Sequence, residues 1–159
     1  MNDLLPRMLL ITLLLVCGYS HAALLPEPTR QELVASVLNG FWGKAKLSDG
    51  RPIHPSSEAE RTKVPVSRVV VNRALDAGEI SGLGEWCKLD WETHYLSLTK
   101  AARSRGLSEI QVAFISFLHG AAQGLIASGM SKSSVCGEQE RVKIQKLLDQ
   151  SRSKGLTDI

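Results

Sequence analysis

The chain has 159 residues, with 19 Lys and Arg against 16 Asp and Glu, a net charge of +3, and 43% hydrophobic residues. That much apolar material excludes a disordered chain and suits one domain with a real core. So mild and dispersed a charge gives no electrostatic footprint for nucleic acid, and none is expected as a partner.

Residues 1–22 read as a cleavable signal peptide. Arg7 and the free amine give a weakly basic start, which Asp3 partly offsets. Met8 to Val16 is then an apolar run with Thr12 its one polar member, and Gly18-Tyr19-Ser20-His21-Ala22-Ala23 follows. Ser20 and Ala22 put small residues where a signal peptidase needs them, so cleavage is expected after Ala22. The run is about ten residues long, too short for a ~30 Å hydrocarbon core that needs about twenty. Lipid anchoring at Cys17 is the alternative, although Val16 is a poor residue to precede it. No later stretch reads as a membrane span, so a periplasmic or secreted domain over residues 23–159 is expected.

That domain keeps two cysteines, Cys87 and Cys136. In an oxidising compartment an even number of thiols points to a bridge, and two free buried thiols are the alternative. No CxxC or HExxH spacing accompanies them, so neither a metal nor another cofactor is expected.

Helix signals punctuate the domain, and strand signals are scarce. Thr29-Arg30-Gln31-Glu32 fits a capping box, and Leu33, Val34, Val37, Leu38 and Phe41 recur behind it at helical spacing, with Gly40 and Gly43 as the stop. Residues 44–63 carry Ser48-Asp49-Gly50, Pro52, Pro55 and Ser56-Ser57, which predict a surface loop with one helical turn around Ser57 to Arg61. A second helix is expected from Pro65, with Val69, Val70, Arg73, Ala74, Ala77 and Ile80 in its stripe; Gly78, Gly82 and Gly84 should fray its far end. Asp90 is the expected cap of a third helix that buries Tyr95, Leu96 and Leu98 and stops at Gly106. Ser108-Glu109-Ile110-Gln111 is a further capping box. It opens a segment, Ile110 to Ala127, that is apolar all round and therefore central to its domain, ending at Gly129. A last helix from Gly137 to about Ser153 should turn Val142, Ile144, Leu147 and Leu148 inward. The expected fold is all-α: a single-domain bundle of about five helices with one disulfide, Cys87 to Cys136.

Several constellations invite a chemical reading. His119 and Gln123 share one face of the central helix, and Gly120 and Gly124 would let a neighbouring helix approach. Either this is a polar slot for a ligand or partner, or a buried pair satisfied by itself or by backbone. Asp90 and His94 also share a face, but two ligands do not make a zinc site; a cap and a surface histidine account for them. Trp86 and Trp91 flank Cys87 and should cover the bridge, while Trp42 is core or a binding platform. His54 sits in the loop with Asp49 nearby. There is no G-x-S-x-G elbow, and Ser151-Arg152-Ser153-Lys154 fits S-x-x-K in what reads as a polar tail. No catalytic residue is expected.

The run Phe117-Leu118-His119-Gly120-Ala121-Ala122-Gln123-Gly124-Leu125, followed by Cys136 and an amphipathic helix, resembles the Rap/Tai group. These are small bacterial periplasmic immunity proteins that neutralise peptidoglycan amidase effectors delivered by type VI secretion. The resemblance spans Phe114 to Leu148. The family usually has a cysteine just before the aromatic and a proline after the later cysteine, where this chain has Phe114-Ile115-Ser116 and Gly137. The resemblance implies a fold neighbourhood more than a function; one stapled core with no catalytic constellation and surface features to spare makes the leading expectation a non-enzymatic protein of the bacterial cell envelope that binds another protein, as an inhibitor or immunity factor. Two other expectations stand beside it: a small-ligand carrier or cell-wall enzyme with a cleft at His119, Gln123 and a tryptophan, and a periplasmic stress chaperone.

Overall fold

The computed structural model describes residues 23–156; the signal-peptide and Cys17 readings lie outside the described residues. The chain is all-α, with helices α1 (Glu27–Phe41), α2 (Glu58–Arg61), α3 (Arg68–Trp86), α4 (Trp91–Ser104), α5 (Glu109–Ser133) and α6 (Glu138–Lys154). Five are full-length helices, and α2 is the single turn expected in the loop. Helix α5 lies against α1, α3 and α4, and α6 packs across α3 and α4.

Local chemistry explains most boundaries. Ser57, Ser67, Asp90 and Ser108 each cap a helix with a side-chain oxygen, and Ser108 with Gln111 closes both halves of the capping box. The first helix differs from expectation. It starts at Glu27, with Pro28 in its first turn, so Thr29 is already inside and makes no cap. Helix α3 starts at Arg68, because Ser67 and not Pro65 supplies the cap.

Helix α3 ends in a Schellman turn. Lys88 takes a left-handed φ of 56° while Leu89 N–H donates to Gly84 O and Lys88 N–H to Glu85 O. A side chain with a Cβ is strained there. Lys88→Gly is therefore expected to stabilise the protein by about 1 kcal/mol, read as a higher urea midpoint with an unchanged m-value; no gain would mean the lysine makes a compensating contact.

The glycines of α3 do not fray it. Gly78, Gly82 and Gly84 are all buried inside the helix. A Cβ at Gly82 would sit 2.6 Å from Gln123 O, and one at Gly78 would collide with His119 O. With Ala74, they form a small-residue row at every fourth position, which lets α3 and α5 meet backbone to backbone. Conversely, Gly120 and Gly124 on α5, expected to admit a neighbouring helix, have nothing within 4 Å of their Cβ positions. The close crossing belongs to α3.

Residues 42–57 form a tight excursion with a bridge between Lys46 and Pro52 that tucks Ala45 and Ile53 into the core. The main core gathers Phe41, Trp42, Leu75, Leu98, Phe114, Ile115 and Leu118. A separate cluster of Ile80, Cys87, Ile144 and Leu148, with Leu83, Trp86 and Cys136 against it, fixes α6 to the end of α3. The Cys87–Cys136 disulfide, with Cα atoms 5.2 Å apart, pins this corner, joining the α3–α4 turn to the start of α6. Such a bridge fits an oxidising compartment.

Four expected inward positions differ, and Val69 at the start of α3 is one of them, exposed to solvent. Leu96 is 59% exposed and Val142 is 64% exposed, while Tyr95 is half-buried. Helix α4 instead turns His94, Leu98 and Ala102 inward, one position round from the expected stripe. Helix α5 runs past Gly129 to Ser133. It is also long and apolar enough to cross a membrane by length and composition, where no span is expected after the signal segment. Here it is the core helix of the bundle.

Candidate functional site: the two faces of helix α5

The inner face of α5 meets a line of buried polar groups contributed by four helices. His119 Nε2 lies 2.9 Å from Ser81 Oγ on α3, and Ser81 Oγ is 2.7 Å from His94 Nδ1 on α4. His94 Nε2 is in turn 2.8 Å from Ser151 Oγ on α6. His94 and His119 are each 1% exposed, Ser81 not at all. Each hydroxyl has one proton to give, so the bonds run in one direction along the row, either way, with both rings neutral.

Burial pushes His94 down to about 4, with the Arg152 and Arg73 charges adding to the effect. Burial, then the neighbouring His94, pushes His119 down to about 3. The unfolded chain binds protons near 6.5 and the folded one does not, so folding loses stability as the pH falls below about 6.5. By pH 4 the loss is roughly 3 kcal/mol for either ring. Urea midpoints at pH 7, 5.5 and 4 should fall in that order; a flat profile would contradict neutral, enclosed imidazoles.

His94 is therefore no surface residue, and Ser151 belongs to no polar tail. The Ser151–His94 distance is that of a nucleophile and its base. Chemically the pair is confined: Ser151 is 5% exposed, and the far ring nitrogen is held by a serine where a catalytic histidine would face a carboxylate. Among the described residues, no group of three His, Cys, Asp or Glu is placed to hold a metal ion.

The remaining sequence-predicted residues are scattered. Gln123 donates to Glu85 Oε2 at 2.7 Å and is not paired with His119. Trp42 packs edge-on against Phe41 and donates to Arg61 O at 3.0 Å. His54 is exposed, and Asp49, expected near it, is bound by Arg51. Trp86 packs in the cluster that holds both cysteines and donates to Ser134 O at 3.0 Å. Trp91 stands at the head of α4 beside Gly84, next to Leu148 of that cluster.

A second polar site was missed altogether. Arg30 is 6% exposed, its Nε donating to Glu79 Oε1 at 2.9 Å and its Nη2 to Asp76. Glu79, 2% exposed, also accepts from Leu24 N at 2.6 Å. This triad ties the N-terminal end of α1 to α3. Its signal in the sequence was the pair of carboxylates, Asp76 and Glu79, standing in an otherwise small and apolar stretch from Ala74 to Gly84.

The outer face of α5 is open. Phe117 is 38% exposed and Leu125 42%, and Gly120, Gly124 and Ser128 between and beyond them face solvent. From Ile110 to Ser131 the helix carries no Asp, Glu, Lys or Arg. At the Phe117 end a cleft of about 440 Å³ opens between α4, α5 and the 42–57 excursion, lined by Leu47, Tyr95, Ala113 and Phe117 together with Lys46, Arg103 and Glu109.

No protein-family model, curated protein or solved structure matches the chain. Polar groups on the inner face of α5 are spent on one another, and the outer face is apolar and uncovered.

Proposed function

We propose that this chain is an exported protein that acts by binding another protein, as an immunity or inhibitor factor, and that the open face of α5 is its contact surface. One observation carries the reading: the helix with the longest uncharged stretch leaves Phe117, Gly120, Gly124 and Leu125 in solvent. Interface centres are depleted of charge and rich in aromatic groups, with polar residues at the rim. Gly120 and Gly124 let a partner's backbone come close, and Phe117 offers a ring. The disulfide supports export, and the three-part N-terminus supports a signal peptide. The resemblance of Phe114 to Leu148 to the Rap/Tai proteins suggests a peptidoglycan amidase as the partner.

The test is titration of purified periplasmic protein into amidase effectors of the type VI class while cell-wall hydrolysis is followed. Stoichiometric inhibition of one of them is expected, weakened by at least tenfold in Gly124→Arg. Hydrolysis unaffected at micromolar excess across the set would overturn the immunity reading.

A further inference from the structure

The chain enters the core at Leu25, which is 9% exposed. Just before it, Leu24 is 50% exposed and Ala23 is open to solvent, yet Leu24 N–H donates to Glu79 Oε2 at 2.6 Å. The entry point is therefore fixed by a carboxylate that is itself 2% exposed. Consecutive backbone nitrogens are at most about 3.7 Å apart, so the Ala23 nitrogen lies within roughly 6 Å of that oxygen.

Charge at this corner is unbalanced. Asp76 and Glu79 face a single guanidinium, that of Arg30, whose Nε donates to Glu79 Oε1 at 2.9 Å and whose Nη2 reaches Asp76. Among the described residues, no second cation pairs with either carboxylate. Glu27, at the start of α1, has Arg68 as its own partner at 3.6 Å. One negative charge is left over, with Glu79 enclosed and Asp76, 40% exposed, on the solvent side. Such a charge costs free energy unless a cation stands near.

In the uncut chain the Ala23 nitrogen is a neutral amide. Cleavage after Ala22 adds one water across that peptide bond: the Ala22 carbonyl leaves as a carboxylate, and the Ala23 nitrogen becomes an ammonium at neutral pH. Resting on the export reading, we infer that the mature N-terminus is a working part of the triad: the Ala23 ammonium closes on the solvent side of Asp76 and Glu79 and balances their excess charge. The Leu24 hydrogen bond holds the amine in place. The uncut chain lacks this ion pair, so the fold reaches its full stability only once the signal peptide is removed. Processing and folding are thereby coupled.

The test uses the oxidised protein purified from the cell envelope. Its intact mass should be that of a chain beginning at Ala23. Cyanate modifies only the uncharged α-amine, so at pH 7 the folded chain should react about tenfold more slowly than the same chain in guanidinium chloride. Asp76→Asn leaves Arg30 and Glu79 paired and in balance, and in it most of that protection should disappear. Should that variant not fold, the natural sequence serves: with its amine blocked by cyanate, its unfolding constant should rise by about tenfold. A cleaved chain beginning elsewhere, equal cyanate rates folded and unfolded, unchanged protection in Asp76→Asn, or a blocked chain as stable as the free one would overturn the inference. An uncleaved chain in the envelope would overturn the signal-peptide reading and this inference together.

Discussion

Arg30→Met is expected to destabilise the protein by about 3–5 kcal/mol, the usual cost of removing one partner from a buried ion pair. The reason lies less in the lost attraction than in what remains. Glu79 is 2% exposed, and without the guanidinium its carboxylate keeps only the Leu24 amide as a hydrogen-bond donor. Asp76 is 40% exposed and can turn to water, so the penalty falls on Glu79. The double variant Arg30→Met, Glu79→Leu should recover most of the loss, because a buried pair replaced by apolar groups is close to neutral. In thermal unfolding the single variant should fall by on the order of 10–20 °C, using a few degrees per kcal/mol for a domain of this size. A single-variant loss under about 1 kcal/mol would mean that water reaches Glu79.

Removing the bridge ranks with that change. Cys87 and Cys136 are 49 residues apart in sequence, and in the chain-entropy model closing such a loop contributes about 4 kcal/mol. Cys87→Ala with Cys136→Ala should lose about that much stability. The loss should concentrate at α6, whose cluster includes both sulfurs. Paired urea unfolding curves with and without reductant on the natural chain check it from the other side. Coincident curves would mean the two cysteines are not joined in the folded protein.

How much of this was legible in the sequence depended on whether the cause was local. The Ser108–Gln111 box, the Asp90 cap and the Gly106 stop lie within a few residues of what they control, and each appears where expected. Helix α5 and the cysteine pair were legible too, the one from unbroken apolar composition and the other from an even thiol count. His94 was not. Its helix reads inward at His94, Leu98 and Ala102, but Leu96 is more hydrophobic than a histidine, and the stripe was placed one position off. What buries His94 is the pair of hydroxyls on Ser81 and Ser151, 13 and 57 residues away. Arg30 failed for the same reason, its carboxylate partner Glu79 lying 49 residues along.

The glycines taught the complementary lesson. Gly78 and Gly82 and Gly120 and Gly124 have the same four-residue spacing, and nothing in either helix alone says which pair meets a neighbour. The packing gives the crossing to α3 and leaves the α5 pair facing out, so the exposed apolar face is a consequence of tertiary structure. The expected cleft of His119, Gln123 and a tryptophan did not form, while the same helix offers an apolar face on its opposite side.

The claim that a partner protein sits on that outer face is tested most directly by site-specific photocrosslinking in the living cell envelope. A photoreactive residue at position 124 should yield one discrete covalent adduct with a second polypeptide, and the same residue at position 153, on the exposed side of α6, should yield none. Adducts from 153 but not from 124, or none from either, would contradict it.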